Sequence, residues 1–160
     1  MKKIKIREYE RNDCIQIVKL FCDTIRFINS KDYSKEEVDA WITGNTNVDK
    51  WNKSFENHYC LIAEKGNIIV GFGDMYGNYI DRLYVHKDYQ NIKIGSMILY
   101  GLENYASEHM ETIISVHASV TAKPFFEKRG YKEICKRQVK RNGVFLVNFA
   151  MEKDMGINFL

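Results

Sequence analysis

From Lys3 to Tyr9 the chain reads KIKIREY, with apolar and polar residues alternating at period two, the pattern of a strand with one buried face. Asn12 or Asp13 then offers a helix cap, and Ile15, Val18, Phe21, Cys22 and Ile25 recur at helical spacing. The segment YSKEEVDAW from Tyr33 carries a Ser-x-x-Glu capping box at Ser34 and Glu37 and predicts a second helix. After Gly44, NVDKWNKSFEN predicts a third, short helical piece. From His58 the period returns to two. HYCLIAEKGNIIVGFGDMYGNYIDRLYV predicts three strands joined by turns at Lys65–Gly66–Asn67 and Gly77–Asn78.

A helix follows Gln90, with Ile94, Met97, Ile98, Gly101, Leu102 and Tyr105 on one side. TIISVHA predicts a short buried strand, and TAKPFFEKRG a short helix closed by Gly130. The two segments around Arg141–Asn142–Gly143 predict a final hairpin on an Asn-Gly turn. The order implies one α/β domain over residues 1–160 with antiparallel hairpins. Repeats, linkers and low-complexity tracts are absent from the sequence.

Composition narrows the function classes. Apolar residues make up 45% and charged residues 28%, ordinary for a globular chain with its own core. A net charge of +3 suits an anionic small molecule, but basic and acidic residues are interleaved and form no stripe, which argues against a nucleic-acid binder. Cys14, Cys22, Cys60 and Cys135 show no metal spacing and read as isolated buried thiols. The start MKKIKIREYE has no apolar h-region, and no apolar run approaches the ~18 residues of a membrane span. A cytoplasmic chain that binds no membrane is the expectation.

The chemistry-bearing stretch is LYVHKDYQNIKIGS, Leu83 to Ser96, which begins as a strand and ends as a helix. The first amides of a helix lack internal acceptors and carry partial positive charge, so the junction is suited to an anion. With the element order around it, this stretch resembles the GNAT acetyltransferase superfamily. The central motif of that family is Gln/Arg-x-x-Gly-x-Gly/Ala after a Leu-x-Val strand. Here it reads Leu83-Tyr84-Val85, then Gln90-Asn91-Ile92-Lys93-Ile94-Gly95. The second signature, a small helix ending in Gly-aromatic, reads AKPFFEKRGY from Ala122 to Tyr131.

The resemblance implies a mixed, mostly antiparallel sheet of about seven strands, splayed in the middle and flanked by about four helices. It implies acetyl-CoA as co-substrate, no metal, and transfer of acetyl to an amine of a small molecule or peptide by direct attack in a ternary complex. The pantetheine arm would pair along the splayed strand edge. Leu83, Tyr84, Val85, Gln90, Asn91, Ile92, Lys93, Ile94, Gly95 and Ser96 become the coenzyme A site, with the pyrophosphate on the amides of Asn91 to Ser96. Lys93 stands where the family has its first motif glycine, giving up a close backbone approach and adding an ammonium for a phosphate.

Two further departures concern protons. The family's usual glutamate base, six residues before the strand valine, is Tyr79, and its usual tyrosine acid is Phe126. Asp81, on the face of Leu83 and Val85 by strand parity, can replace the base or can be a strand-end aspartate paired with a cation. His117 is the other catalytic candidate, with a structural histidine as its alternative. His86 looks solvent-facing, and His58 and His109 read as surface residues. On the acceptor side the resemblance points to the first two helices and the middle strands. Arg26, Tyr33, Asp74 and Tyr79 are the candidate substrate-binding residues, in a cluster with Asn29, Asp32, Trp41 and Tyr76 that reads equally as aromatic core with solvated charges. A non-catalytic acyl-CoA or metabolite sensor is the rival function, and a homodimer is left open.

Overall fold

Among the described residues seven strands form one sheet in the order β1-β2-β3-β4-β5-β7-β6. They are β1 (Ile4–Glu8), β2 (Tyr59–Lys65), β3 (Ile68–Tyr76), β4 (Tyr79–Val85), β5 (Ile113–Ser119), β6 (Lys132–Arg141) and β7 (Val144–Asp154). The computed structural model describes residues 2–156, so residues 1 and 157–160 of the expected domain lie outside the described residues. Every pairing is antiparallel except β4 with β5, which run parallel and meet only at Tyr79–Ser115 and Ile80–Val116. Beyond those two pairs the strands separate, so the sheet is splayed in its middle.

Among the described residues five helices flank it: α1 (Cys14–Phe27), α2 (Lys35–Ile42), α3 (Val48–Phe55), α4 (Ile94–Glu108) and α5 (Lys123–Glu127). The third helical piece expected after Gly44 is α3, a full eight-residue helix whose Asn47 side chain accepts from the Lys50 amide, and it brings the count from about four helices to five. The Ser34–Glu37 capping box forms as expected, with both reciprocal hydrogen bonds. The start of α1 differs from expectation. A 3-10 turn over Arg11–Asp13 precedes it, and neither Asn12 nor Asp13 caps it through its side chain. The Asp13 carboxylate accepts instead from the Glu10 amide and from Arg7, at 2.8 Å each. The last hairpin turns at Asn142 and Gly143, both at positive φ (45° and 81°), the signature of an Asn-Gly type I′ turn.

The two faces of the sheet bury separate cores. One holds α1, α2 and α3 with Phe72 and Leu146, and the other holds α4 and α5 with Ile80, Ile114, Val116 and Met151. Helix α4 lies close over β3 because Gly71 has no side chain: a Cβ there would stand 2.9 Å from Ile94 and Ile98. Its buried stripe is Ile94, Ile98, Leu99, Leu102 and Ala106, while Met97, expected inside, faces solvent. Cys14, Cys22 and Cys60 are buried free thiols, but Cys135 is exposed, because β6 is an edge strand. Among the described residues no helix is long and apolar enough to cross a membrane.

Candidate functional site

The splay exposes one edge of β4. The His86 amide donates to the Val70 carbonyl at 2.8 Å, and backbone direction alternates along a strand, so Tyr84 and Arg82 also point to β3. Leu83 and Val85 therefore turn their amides and carbonyls into the gap between β4 and β5. Thr24 Oγ1 (3.0 Å) and Gln90 Nε2 (2.7 Å) both donate to the Val85 carbonyl, which ties α1 and the following loop to this point.

The loop then reaches α4 through two residues in the left-handed region, Asn91 (φ 60°) and Lys93 (φ 70°), with Lys93 at the N-cap. Its path leaves a row of open donors: among the described residues, no amide from Asn91 to Ser96 has a protein acceptor. The Gly95 Cβ position faces the Phe125 ring edge at 3.1 Å and Val85 at 3.6 Å, so backbone lies bare there. Arg129 closes the far side. Its guanidinium stacks on Phe125 at 3.7 Å, donates to the Phe125 carbonyl at 2.8 Å and bonds the Ser96 hydroxyl.

A left-handed residue bearing a Cβ costs ~1–2 kcal/mol, and glycine returns ~0.4–1 kcal/mol of that through its looser unfolded state. Lys93→Gly is thus expected to stabilise the fold by about 0.5–1 kcal/mol in urea unfolding while weakening binding of a phosphate-bearing ligand. A variant no more stable than the wild type would show that the loop is unstrained.

At the other end of the gap the ladder is irregular. Asp74 pairs with Arg82 and Met75 with Ile80, leaving Asp81 as an extra, bulged residue. The bulge reverses the parity expected for Asp81. Leu83 and Val85 pack on the α4 face, whereas Asp81 lies 3.6 Å from Arg82 and 3.9 Å from His58 on the opposite one. Asp74, completely buried, accepts two hydrogen bonds from Arg82 (2.6 and 2.9 Å) and contacts His58 Nδ1 at 2.7 Å. Trp51 and Phe55 hold the Arg82 guanidinium at 4.6 and 4.5 Å from their ring centres. His58, Asp74 and Asp81 each bring a metal-type ligand atom within 4.8 Å of the others, but Arg82 already supplies the positive charge between the two carboxylates.

Tyr79 and His117 meet across the strands where β4 and β5 still pair, with Tyr79 Oη 3.1 Å from His117 Nδ1. Burial and then the Arg137 guanidinium push the His117 imidazole below its ordinary 6.5, against an opposite pull from Asp81. Burial, reinforced by Asp81, raises the Tyr79 phenol above its usual value, so it keeps its proton. Burial also raises the Asp81 carboxyl, opposed by Arg82.

Gap, loop and pair line one cleft of about 800 Å³. Of the expected site residues, Leu83, Val85, Gln90, Asn91, Lys93, Ile94, Gly95, Ser96, Tyr79, Asp81 and His117 line it together. Tyr84 lines it too, but its ring packs into the α1-side core against Phe21 at 5.0 Å and its backbone faces β3. Ile92 points outward, 49% exposed. Arg26 is an exposed residue of α1 outside the cleft, and Asp74 is sealed behind Arg82. Tyr33 lines the cleft, but its hydroxyl is committed, donating to the Val147 carbonyl (2.7 Å) and accepting from the Val120 amide (2.8 Å). Phe126 is core, 2% exposed. Sequence reasoning missed Arg129, one residue before the Gly-aromatic pair, and misplaced His58, which is part-buried against Asp74.

The family model of the acetyltransferase (GNAT) domain matches residues 29–153. The uncharacterized N-acetyltransferase YafP of Escherichia coli (strain K12) is 30% identical over 151 residues, covering 94% of this chain and 96% of its own. A GCN5-related N-acetyltransferase from Rhodopseudomonas palustris superposes with a TM-score of 0.92 at 32% identity, over 97% of this chain and 98% of that one. PaiA N-acetyltransferase from Thermoplasma acidophilum, solved in complex with coenzyme A, superposes at 0.76 and 20% identity, over 95% and 99% of the two chains. The matched segment runs from just past α1 into the end of β7 and carries the splayed strands, the open amides and the Tyr79–His117 pair, and by it the chain belongs to the GNAT acetyltransferase family.

Proposed function

We propose that the chain transfers the acetyl group of acetyl-CoA to an amine by direct attack in a ternary complex. The observation that carries this reading is the continuity of the gap, from six open amides at one end to a histidine–tyrosine pair at the other. The amides of Asn91 to Ser96, with Lys93 and Arg129 beside them, suit a pyrophosphate. The edge that faces the gap at Leu83 and at the Val85 amide suits an amide-bearing arm added like a strand, while the Val85 carbonyl is already held by Thr24 and Gln90. PaiA, of the same fold, holds coenzyme A, in keeping with this assignment.

The amine nitrogen attacks the thioester carbonyl carbon, the oxyanion takes a hydrogen bond from a β4 amide facing the gap, and the C–S bond breaks to release the thiolate. In the tautomer with its proton on Nδ1, His117 donates to the Tyr79 oxygen and leaves Nε2 free to accept the amine proton. Tyr79 is then a positioning residue that fixes the tautomer. Asp81 is the acid that lines the cleft with the pair and acts on both its members, and Phe126 cannot donate a proton from the core.

A histidine held below 6.5 is neutral at physiological pH, and the sign follows: turnover rises as pH climbs through a midpoint below 6.5 that belongs to the enzyme and not to the amine. His117→Ala should lower kcat by roughly 10²-fold with little change in acetyl-CoA affinity, and should abolish that limb of the pH profile. The assay is amine-dependent appearance of free coenzyme A. Wild-type turnover by His117→Ala would make the histidine structural, and acetyl-CoA binding without turnover on any amine would favour the sensor.

A further inference from the structure

Among the described residues the cations lining the cleft are Lys31, Arg82, Lys93, Lys128, Arg129 and Arg141, against a single acid, Asp81. Most of this excess is accounted for. Arg82 is neutralised by Asp74. Lys93, Lys128 and Arg129 belong to the α4–α5 end where the open amides lie, and Lys31 is an exposed residue of the turn that follows α1. Arg141 does not belong there. It stands at the end of β6, on the strand face it shares with Val139 and Arg137. The β6–β7 hairpin carries this face toward α2, where Leu146 joins the core of the first helices. Both guanidiniums are felt at the reactive end: Arg137 acts on His117 and Tyr79, and Arg141 on Asp81 and Tyr79.

Neither has a carboxylate partner among the described residues. Arg137 makes one long hydrogen bond, 3.4 Å to Asn148 Oδ1, and Arg141 only a 3.5 Å contact with the carbonyl of its own neighbour. Arg141 at the cleft, with a second unpaired guanidinium on the same strand face, is left in want of an anion. Resting on the acetyl-transfer reading, we infer that the acceptor is a small amine that also bears a carboxylate, an amino acid or a close analogue. Its carboxylate would be held by Arg141, with Arg137 farther along the same strand face adding to the positive field, while its amine lies between Asp81 and His117. The planar guanidinium fork suits a carboxylate, and Trp41 and Val139 offer the intervening chain an apolar wall.

The test uses amines differing only in that group: phenylalanine against phenethylamine and phenylalanine amide, leucine against isopentylamine, and lysine against cadaverine. Each is titrated by calorimetry into the full chain saturated with coenzyme A, and separately assayed with acetyl-CoA for thiol release. At least one carboxylate-bearing member should bind about tenfold tighter than its partner lacking the group, and Arg141→Gln should collapse that ratio, with Arg141→Lys keeping part of it. Equal binding by decarboxylated or amide partners, failure of every carboxylate-bearing member to bind, or a ratio unchanged in Arg141→Gln would overturn the inference. Failure of the catalytic reading is separate: the carboxylate-bearing amine would bind with the expected preference, yet no thiol would be released.

Discussion

Gly95→Glu is expected to leave the fold in place and to take acetyl-CoA binding below detection in calorimetry. Gly95 lies in the first turn of α4, in the row of amides without protein acceptors. A side chain there meets the Phe125 ring edge at 3.1 Å, so the ring must give by a few tenths of an ångström, which a partly exposed aromatic at the cleft wall can do. The carboxylate then sits on the helix start that would receive a pyrophosphate, and like charge and bulk act together. A loss of at least about 10²-fold in affinity, near 2.7 kcal/mol, follows, with thermal unfolding as the control for folding. Unchanged affinity in a folded variant would remove this loop from the cofactor site.

The second large effect is on stability. Asp74→Ala should destabilise the chain by ~3–5 kcal/mol, because it leaves the Arg82 guanidinium enclosed by Trp51 and Phe55 without its carboxylate. Against a total stability of about 5–15 kcal/mol, such a loss brings much of the population to the edge of unfolding. Replacing both partners, Asp74→Leu with Arg82→Met, should cost less than the single change, since no uncompensated charge remains. Urea titrations of the three variants decide it. A single-variant loss under ~1 kcal/mol would mean that water reaches Arg82 and the pair is a surface one.

What could be read from the sequence was whatever repeats locally. The Ser34–Glu37 box and the turns at Gly66, Gly77 and Asn142–Gly143 are patterns of spacing and backbone freedom that stand in the structure as expected, and so does the stripe of α4 at Ile94, Ile98 and Leu102, though not at Met97. The splayed sheet and the amide row came with the motif from Leu83 to Gly95. What was not legible depends on one residue too many. The bulge at Asp81 carries no glycine or proline to mark it, so parity counted along β4 assigned Asp81 the wrong face. His58 and Asp74 are sixteen positions apart, and only the β2–β3 hairpin brings them together. Arg26 belongs to the helix that ties into the cleft through Thr24, but two positions on, it faces out. Arg129 was within reach: an arginine preceding a helix-closing glycine, one short helix away from a phosphate-type loop.

The central claim is that acetyl transfer runs through the gap between β4 and β5, with the donor anchored on the amides of Asn91 to Ser96. Its most direct test is the rate of thiol release from acetyl-CoA across a panel of amines, measured side by side for the wild type and Gly95→Glu at one protein concentration. The account predicts amine-dependent release by the wild type and only the amine-free background from the variant. Equal release by the two proteins, or no amine-dependent release by a wild type that binds acetyl-CoA, would contradict it.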